Sequence, residues 1–505
     1  MSAYGEAGAP IPRASGGMRR RFVLGGLIVA AAAAATMATA ILLDVAQFAS
    51  DVKGKPIKGL GSIVIAPGAG KPQTILLIGS DRRYSDRKDK HNARSDTIIL
   101  LRLNPQANAI TLLSIPRDLK VQLRPNSAPD KINAAYSIGG PARTAKVVKR
   151  VLSWPGHSFE INHIVNINFG GFRDVVNTLG CVYADVDRNY FNDNNPPVDS
   201  ATDYATIDIQ PGYQRLCGKD GLDYVRFRHL DTDIVRSARQ QDFLRQAKQQ
   251  YGTGEVFANR HRLARIFGRY TESDSELHKS TGIIKLLDLG ILTAGKSVEE
   301  IHFPAILGDA NDPFVTARPS AVHTAVERFM AATGTPKPKP KQRHRRRRRR
   351  KPGPVPGLVN AQSAGEEQGL LLGAKAHMPV YYPKVITSTG RYMGPVGGVY
   401  PRAYRIKVGR RRLPAYRLTL TTNGIGQYYG VQGTTWRSPP LLRSPSEIRT
   451  VNGRRLLLFF DGRRLRFVGW RTNRAVYWIS NTLSETVGNR QMLAMAASLT
   501  PLGSK

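Results

Sequence analysis

Arginine, carboxylate and amide side chains are concentrated between residues 224 and 245, in the stretch YVRFRHLDTDIVRSARQQDFLR. Its first residues alternate in polarity, which predicts a strand with Arg226 and Arg228 on one face and Val225 and Phe227 on the other. The residues after them have helical spacing. One face of this predicted helix carries Asp233, Arg236 and Gln240. Because arginine binds phosphate through paired hydrogen bonds, the stretch predicts an anion site, with a salt-bridged surface helix as the alternative.

Charged residues also stand at the ends of three predicted strands earlier in the chain. These strands are the apolar runs Ile75–Asp81, Arg94–Asn104 and Ile110–Asp118. Adjacent antiparallel strands bring the end of one beside the start of the next, so Asp81 and Asp96 can meet. Two carboxylates beside arginines can hold Mg²⁺ against phosphate oxygens. The alternative for each carboxylate is an ion pair with a neighbouring arginine.

Further elements would position these residues. The segment KINAAYSIGG (Lys131–Gly140) leads through a glycine turn into a predicted helix at Pro141–Leu152. A second helix is predicted at Phe169–Leu179 and a strand at Val182–Asp187. We interpret residues 188–215 as a polar insertion that precedes the arginine-rich stretch.

Taken in order, these segments resemble the LytR–CpsA–Psr (LCP) family of cell-envelope phosphotransferases. The resemblance covers roughly Thr74 to Gln250, and it departs from the family pattern at Gly180-Cys181-Val182, where a Gly-Gly-Val turn is commoner. It implies an α/β fold with a central mixed β-sheet flanked by helices. Apolar helices around that sheet would form a lipid tunnel.

The resemblance also implies roles for individual residues. Asp81 and Asp96 would bind a divalent metal, Mg²⁺ or Mn²⁺. The pyrophosphate would be held by Arg94, Arg117, Arg226, Arg228, Arg236, Arg239 and Gln240. The residues expected to act in catalysis are Arg94, Arg117, Asp118, Arg226 and Arg228. Asp118 would serve as a base, and an ion pair with Arg117 is its alternative role.

Proteins that look like this transfer a glycan phosphate from a polyprenyl-pyrophosphate carrier to a peptidoglycan hydroxyl. The partners implied are therefore the lipid-linked glycan, peptidoglycan and the membrane. A second functional class stays open, a non-catalytic, membrane-anchored protein that binds polyanions, and the label of transcriptional attenuator has also been attached to similar proteins. The carboxylate pair separates the two classes, because a polyanion binder gains nothing from Asp81 and Asp96 beside its arginines.

The N-terminus predicts export. Arg19, Arg20 and Arg21 precede the uncharged apolar run Phe22–Leu43, which is long enough to span a bilayer. The positive-inside rule then places residues 1–21 in the cytoplasm and the bulk of the chain outside. A cleaved signal peptide is the alternative, because Ala38-Thr39-Ala40 has the small residues of a cleavage site.

Composition and cysteine usage agree with export. The formal net charge of +38 over 505 residues implies a polyanionic partner, and export argues against nucleic acid. Cys181 and Cys217 are the two cysteines of the chain, and in an oxidising compartment they are expected to pair. Two unrelated buried thiols are the alternative.

The remaining chain divides by composition. A tether at 44–73 precedes the catalytic domain at 74–332, in which Ile283–Leu292 and Ala321–Met330 are predicted core helices. Residues 333–374 are interpreted as a linker, which contains alternating Lys and Pro and the arginine run Arg345–Arg350. That run is either a solvated spacer or a contact for wall polyanions or lipid headgroups.

Residues 375–505 are predicted to form a small α+β domain. Asp461-Gly462 between two apolar runs predicts a hairpin, and a helix is predicted at Ser484–Leu499. Its tryptophans, among them Trp470 and Trp478, could bind glycan, but aromatic residues in strands more often form core. We find no catalytic constellation in this domain.

Overall fold

The computed structural model describes residues 47, 50–51, 55–66, 68, 70–80, 94–107, 109–193, 205–227, 232–251, 253–279, 281–282, 298–308, 312, 314–331, 355–394 and 400–503. The features predicted at Phe22–Leu43, Ile283–Leu292 and Arg345–Arg350 lie outside these residues. Within them, no helix combines the length and apolar character needed to cross a membrane.

The N-terminal half contains short and long strands around one central sheet. Its strands are β1 Lys55–Pro56, β2 Gln73–Ser80, β3 Ser95–Asn104, β4 Ala109–Ser114, β5 Lys120–Gln122, β6 Pro129–Lys131, β7 His163–Asn168, β8 Val182–Val186, β9 Tyr190–Asn192, β10 Ile207–Ile209, β11 Gly212–Leu216, β12 Thr271–Ser273, β13 Val298–Ile301, β14 Ile306–Leu307 and β15 Val315–Thr316. Its helices are α1 Ala134–Val151, α2 Phe169–Leu179, α3 Gly218–Arg226, α4 Asp233–Gln250, α5 Thr253–Ala258, α6 Arg260–Tyr270 and α7 Pro319–Ala331.

The central sheet has seven described strands in the order β1-β12-β7-β2-β3-β4-β13. β2 pairs antiparallel with β3, and β3 with β4, whereas β7 runs parallel to β2 and β13 parallel to β4. The sheet is therefore mixed, which confirms the predicted sheet flanked by helices. This pairing also brings the ends of β2, β4, β7 and β13 to one edge, together with the start of β3.

The main core lies between this sheet and the helices α1 and α7. Leu76 and Ile78 of β2 and Leu100 of β3 are fully buried or nearly so, and they pack with Val148 of α1 and Phe329 of α7. α1 begins earlier than predicted, and Gly139 and Gly140 interrupt it with non-helical dihedral angles. The predicted helix from Pro141 is its second segment, and the predicted helices α2 and α7 are confirmed.

The prediction of a strand through Tyr224 and Arg226 is wrong, because α3 continues to Arg226. Leu222 and Val225 are one helical turn apart and both buried. Asp223 and Arg226 form an ion pair with the same helical spacing. Tyr224 is also buried, so apolar side chains occupy consecutive positions that a half-buried strand would place on opposite faces.

The interpretation of residues 188–215 as a simple polar insertion is also incomplete. The described parts of this segment contribute β9, β10 and part of β11. Tyr190, Ile207 and Tyr213 are buried, which anchors these strands to the body of the protein. The predicted strand after α2 is confirmed as β8, and it pairs with β11.

Residues 355–503 form a second unit around an antiparallel sheet. Its strands are β16 Leu358–Asn360, β17 Tyr381–Pro383, β18 Val385–Thr387, β19 Arg391–Tyr392, β20 Arg402–Val408, β21 Arg411–Thr421, β22 Tyr428–Thr434, β23 Glu447–Val451, β24 Arg454–Asp461, β25 Arg464–Arg471, β26 Val476–Ser480 and β27 Leu499–Pro501. Its helices are α8 Gln362–Leu372 and α9 Asn489–Ser498. Eight of these strands form one sheet, and the predicted hairpin at Asp461-Gly462 joins β24 to β25.

Three details of this unit differ from the prediction or complete it. The linker extends too far in the prediction, because β16 and α8 lie in its last part and place Ala361 and Leu372 in the core. α9 starts five residues later than Ser484, after Gly488 at its N-cap. Trp470 and Trp478 are almost completely buried, so both belong to the core.

The two halves meet through buried charged groups. Arg417 of β21 donates to the Asp185 carboxylate of β8 at 3.0 Å, and the Trp478 indole donates to the same carboxylate at 3.3 Å. Arg245 of α4 contacts Asp461 at 2.5 Å, and Arg466 of β25 contacts Asp242 of α4 at the same distance. The C-terminal unit therefore covers α4, a helix whose side chains are mostly polar and mostly buried.

Candidate functional site

A pocket with a cavity volume of about 130 Å³ lies between the edge of the central sheet and the helices α2, α3 and α4. Its polar lining residues are Asp96, Thr97, Asn168, Arg226, Arg236 and Gln240. Its apolar lining includes Leu77, Ile99, Phe169, Phe172, Val225 and Phe243. We call this space the donor pocket. Asp96 and Asn168 stand at strand ends, whereas Leu77 and Ile99 lie further into the sheet, so the pocket is polar at the edge and apolar inside.

A β-bulge directs Asp96 toward this pocket. Gly79 pairs with Thr97 and Ser80 with Ser95, so the register shifts and Asp96 has no residue opposite it on β2. Bulges of this kind re-aim a side chain next to a site. Asp96 accepts a hydrogen bond from Arg117 Nη1 at 2.7 Å. The structure thus joins the start of β3 to the end of β4, as the sequence predicts.

The two charged residues after β4 form a small ion-pair cluster. Arg117 Nε lies 3.6 Å from Asp118 Oδ2, and Lys131 Nζ lies 3.2 Å from Asp118 Oδ1. All three side chains are less than one third exposed. Asp118 therefore forms the ion pair with Arg117 that was predicted as its alternative role. Because Arg117 also contacts Asp96, it links the two carboxylates.

Arg226 reaches the pocket from the last turn of α3. The buried Asp223 carboxylate accepts from its Nε at 3.0 Å and from its Nη2 at 2.5 Å. Its guanidinium also lies 5.5 Å from the centre of the Phe169 ring. Both bonds go to the same oxygen, Oδ1, and a guanidinium held by two bonds and a ring has little rotational freedom. Its orientation toward the pocket is therefore fixed before any ligand binds.

α4 supplies one stripe of side chains to the pocket, at the helical spacing predicted for it. Arg236 and Gln240 provide the polar part of the stripe, and Phe243 and Leu244 continue it with apolar groups. The Gln240 amide donates to the Val225 carbonyl at 3.2 Å, which ties α4 to α3. The interpretation of this stretch as a plain surface helix does not hold, because Arg236 and Gln240 are buried in the wall of a pocket.

Arg239 lies elsewhere than the resemblance implies. It is fully buried, donates to the Phe227 carbonyl at 2.6 Å, and lies over the Tyr190, Tyr224 and Phe227 rings at 4.8–5.9 Å. It does not line the donor pocket. Burial also raises the pKa of the Tyr224 phenol well above its usual value, so this ring stays neutral beside the guanidinium.

The other predicted site residues are distributed as follows. Arg94 is exposed, directly before β3. Asp81 and Arg228 lie outside the described residues. Among the described residues, no cluster of three or more His, Cys, Asp or Glu side chains offers a metal site.

The predicted disulfide is confirmed, with Cys181 and Cys217 joined and their Cα atoms 4.3 Å apart. Cys181 follows the end of α2 and Cys217 is the N-cap of α3. The bond thereby links two helices that both line the donor pocket. Beside it, the Gly218 N–H donates to Asn177 of α2 at 2.8 Å, and a Cβ at Gly218 would clash with the α2 backbone.

Sequence reasoning named the charged residues of the pocket and missed its apolar lining. Leu77 and Gly79 are two residues apart on β2, and Thr97 and Ile99 are two residues apart on β3. Phe169 and Phe172 have helical spacing on α2, as do Leu222 and Val225 on α3. The signal was the regular spacing of these residues within each element, but its meaning depends on how α2, α3 and α4 pack together.

Comparisons with known proteins follow the same part of the chain. The model of the LytR_cpsA_psr family matches residues 41–321. Over 178 residues the chain is 36% identical to the polyisoprenyl-teichoic acid–peptidoglycan teichoic acid transferase TagV of Bacillus subtilis. The matched segment covers 34% of this chain and 42% of TagV. Over 229 residues it is 29% identical to the transferase TagU of Bacillus cereus, which covers 44% of this chain and 68% of TagU.

A solved structure is also similar. The crystal structure of B. subtilis TagV aligns with 52% of this chain and 97% of its own, at 23% identity and a TM-score of 0.40. The chain thus spans less than half the length of the curated TagV sequence that it matches. The C-terminal unit at 355–503 lies outside the segment that matches the family.

Proposed function

Because the chain belongs to the LytR–CpsA–Psr family, we propose that it transfers a phosphate-linked glycopolymer from a polyprenyl-pyrophosphate carrier to peptidoglycan. The observation that carries this proposal is the donor pocket, in which Arg226, Arg236 and Asp96 stand at one end of an apolar space. A lipid pyrophosphate has the matching shape, a charged head on an apolar tail. The relatives TagV and TagU are named as transferases of polyisoprenyl-linked teichoic acid, which supports the same substrate class.

The proposed reaction is a phosphoryl transfer. An acceptor hydroxyl oxygen forms a bond to the phosphorus nearest the glycan, and the bond from that phosphorus to the bridging oxygen breaks. Polyprenyl phosphate leaves with the bridging oxygen, and we assign the hydroxyl proton to Asp118. Arg117, Arg226 and Arg236, with Arg94 before β3, would neutralise the negative charge that develops on the phosphate oxygens.

A divalent cation fits the donor chemistry at the polar end of the pocket. Mg²⁺ binds one or two carboxylates together with substrate phosphate oxygens, and Asp96 provides such a carboxylate. We propose that Asp96 and Asp81 hold Mg²⁺ or Mn²⁺, which when bound would neutralise pyrophosphate charge.

We further propose that Phe22–Leu43 is an uncleaved membrane anchor and that the bulk of the chain lies outside the cell membrane. The lipid end of the donor would then reach the pocket from the membrane surface. Mass spectrometry of the mature protein tests this proposal. A mature N-terminus at Ile41 would contradict it.

The test of function is transfer of a labelled lipid-linked saccharide to peptidoglycan, with and without a chelator. Arg226→Ala should reduce transfer about 10²–10³-fold and also weaken lipid pyrophosphate binding without metal, because an electrostatic stabiliser is lost. Asp96→Ala should lose transfer but keep most of that metal-independent binding. The exposed Arg410→Ala serves as the matched control and should behave as the wild type.

Two outcomes would contradict the proposal. Undiminished transfer by Asp96→Ala would remove the metal role. The second outcome is that the wild type transfers nothing from several lipid-linked donors and that its affinity for polyanions falls gradually with each arginine removed. This outcome would favour the non-catalytic polyanion-binding protein.

A further inference from the structure

A second pocket lies on the other side of α4, between the two halves of the chain. Its cavity volume is about 270 Å³, and it is partly open to solvent. Its polar lining consists of Ser114, Ser237, Gln241, Glu300, His302 and Ser484. Ser484 belongs to the C-terminal unit and the other five to the N-terminal half. We call this space the interdomain pocket, because neither half encloses it alone.

The interdomain pocket is a direct neighbour of the donor pocket. On α4, Arg236 and Gln240 line the donor pocket, and the next residues, Ser237 and Gln241, line the interdomain pocket. At the end of β4, Pro116 lines the interdomain pocket, and the following residue donates to the Asp96 carboxylate of the donor pocket. The two spaces are therefore separated by one helix and one strand end.

The interdomain pocket offers different chemistry from the donor pocket. Among the described residues that line it, none is lysine or arginine, so it lacks the guanidinium and ammonium groups that neutralise phosphate charge. Instead it has three hydroxyls, an amide, an imidazole and a carboxylate, which donate to and accept from hydroxyl groups. Phe303 and Ile234 add apolar surface. This combination suits a neutral sugar, whose rings have polar rims and apolar faces.

The polar groups of the pocket are held in place. The Glu300 carboxylate is bonded by Arg245 of α4 and lies 3.4 Å from His302 Nδ1. With its amide nitrogen turned toward Glu300, Gln241 accepts from the Ser114 N–H at 3.0 Å. On the opposite wall, the Ser484 hydroxyl accepts from the Gln427 amide at 3.0 Å. Side chains fixed in this way lose little further entropy when a ligand binds.

We propose that the interdomain pocket binds a neutral saccharide segment of the acceptor, and that a hydroxyl further along the same acceptor reaches the phosphate past the end of β4, where Pro116 borders one pocket and Arg117 contacts Asp96 of the other. This inference rests on the proposed transfer function. It gives the C-terminal unit a role in acceptor recognition, although that unit lies outside the segment that matches the family. His302 and Ser484 are binding residues in this proposal.

The test uses the whole chain and an uncharged probe, the tetrasaccharide of N-acetylglucosamine. Ser484→Tyr fills the pocket from the C-terminal side and should weaken probe binding at least about tenfold. Ser484→Ala removes only the hydroxyl, and His302→Gln replaces a ring by an amide; each should weaken binding about fivefold, as expected for one neutral hydrogen bond. Ser444→Tyr, an exposed serine of the same unit, is the matched control and should bind the probe normally.

Kinetics separate this inference from the proposed function. With a lipid-linked donor, Ser484→Tyr should raise the KM for the acceptor and leave the KM for the donor and lipid pyrophosphate binding unchanged. Normal transfer by Ser484→Tyr with an unchanged acceptor KM would overturn the inference and leave the function standing. The wild type could instead bind the probe but transfer nothing, while Ser484→Tyr does not bind the probe. That outcome would support the pocket and contradict the function. The pocket would also be rejected if the wild type did not bind the probe and Ser484→Tyr transferred the saccharide at the wild-type rate.

Discussion

The two ends of α4 place arginines in opposite surroundings. Arg236 and Arg245 are nine residues apart, which is about two and a half helical turns, so they project from opposite faces. Arg236 lines the donor pocket. Arg245 faces the C-terminal unit and is surrounded by Asp461 of that unit, Glu300 of β13 and Asp242 of α4 itself. One helix thus presents cationic groups to a ligand on one side and neutralises them permanently on the other.

Charge balance differs between these two regions. The donor pocket has two lining arginines, Arg226 and Arg236, and one lining carboxylate, Asp96, and Arg226 is also paired with the buried Asp223. The contact between the halves has two buried guanidiniums, Arg245 and Arg466, within ion-pair distance of four carboxylates: Asp242, Glu300, Asp461 and Glu485. The arginines of the donor pocket face a space that can hold an anion, whereas a surplus of buried carboxylates suits a structural contact that retains protons.

The largest expected effect breaks the structural contact. Arg245→Ala leaves Asp461 and Glu300 buried without their main cation, and loss of one partner of a buried ion pair costs about 3–5 kcal/mol. Chemical denaturation should report this loss. Arg449→Ala removes an exposed ion pair with Glu447 and should cost no more than about 1 kcal/mol. Equal losses in the two variants would show that the buried contact carries no special weight.

A second prediction concerns the walls of the donor pocket. Replacing both Cys181 and Cys217 by serine opens a loop of 36 residues, which should lower the free energy of unfolding by about 3–4 kcal/mol. Because the bond joins α2 to α3, the variant should also bind lipid pyrophosphate more weakly at temperatures at which it is still folded. Both effects should appear when the wild type is reduced. Labelling of both thiols by iodoacetamide without reductant would contradict the pairing.

The smallest expected effect follows from the surplus of carboxylates. Burial, with the Asp461 carboxylate nearby, raises the pKa of Glu300 to about 8 and that of Glu485 to about 7. Both values lie above those of the unfolded chain, so the folded state binds more protons between about pH 4.5 and pH 8. The stability from these groups is present at low pH and is lost as the pH rises through 7 and 8. Tm should therefore fall between pH 6 and pH 9, by about 2–4 °C for each kcal/mol lost.

Neutral replacements sharpen this pH prediction. In the double variant Glu300→Gln and Glu485→Gln no proton is bound at either position, so the decrease in Tm between pH 6 and pH 9 should become smaller. The surface variant Glu447→Gln should retain the wild-type slope, because Glu447 is about 39% exposed. A double variant with the wild-type slope would place the titrating groups elsewhere.

Much of this arrangement could be predicted from local patterns. The three strands β2, β3 and β4, the helix α2 and the hairpin at Asp461-Gly462 follow from runs of apolar residues and turn residues. The contact between Arg117 and Asp96 follows from antiparallel neighbours. Where the sequence carries one clear period, the local prediction and the fold agree.

The errors arose where a pattern had two explanations or depended on distant residues. The segment around Arg226 alternates in polarity, yet Leu222, Val225 and the Asp223–Arg226 pair also have helical spacing, and packing against α4 decides for the helix. Arg239 carries the same charge as Arg236, but aromatic rings enclose it. Asp185 and Arg417 are 232 residues apart, and no local pattern indicates that they meet.

The contact between Asp185 and Arg417 has a consequence for how the two halves can evolve. Asp185 lies within the segment that matches the family, and Arg417 lies outside it, while both side chains are buried. Loss of either partner alone would strand a charge in the interior, so the two positions should change together among chains that carry both halves. Relatives without the C-terminal unit should be released from that constraint and have a small neutral or solvent-exposed polar residue at the position of Asp185. Such a difference between the two groups of sequences would show that selection acts on residue pairs that cross the end of the family segment.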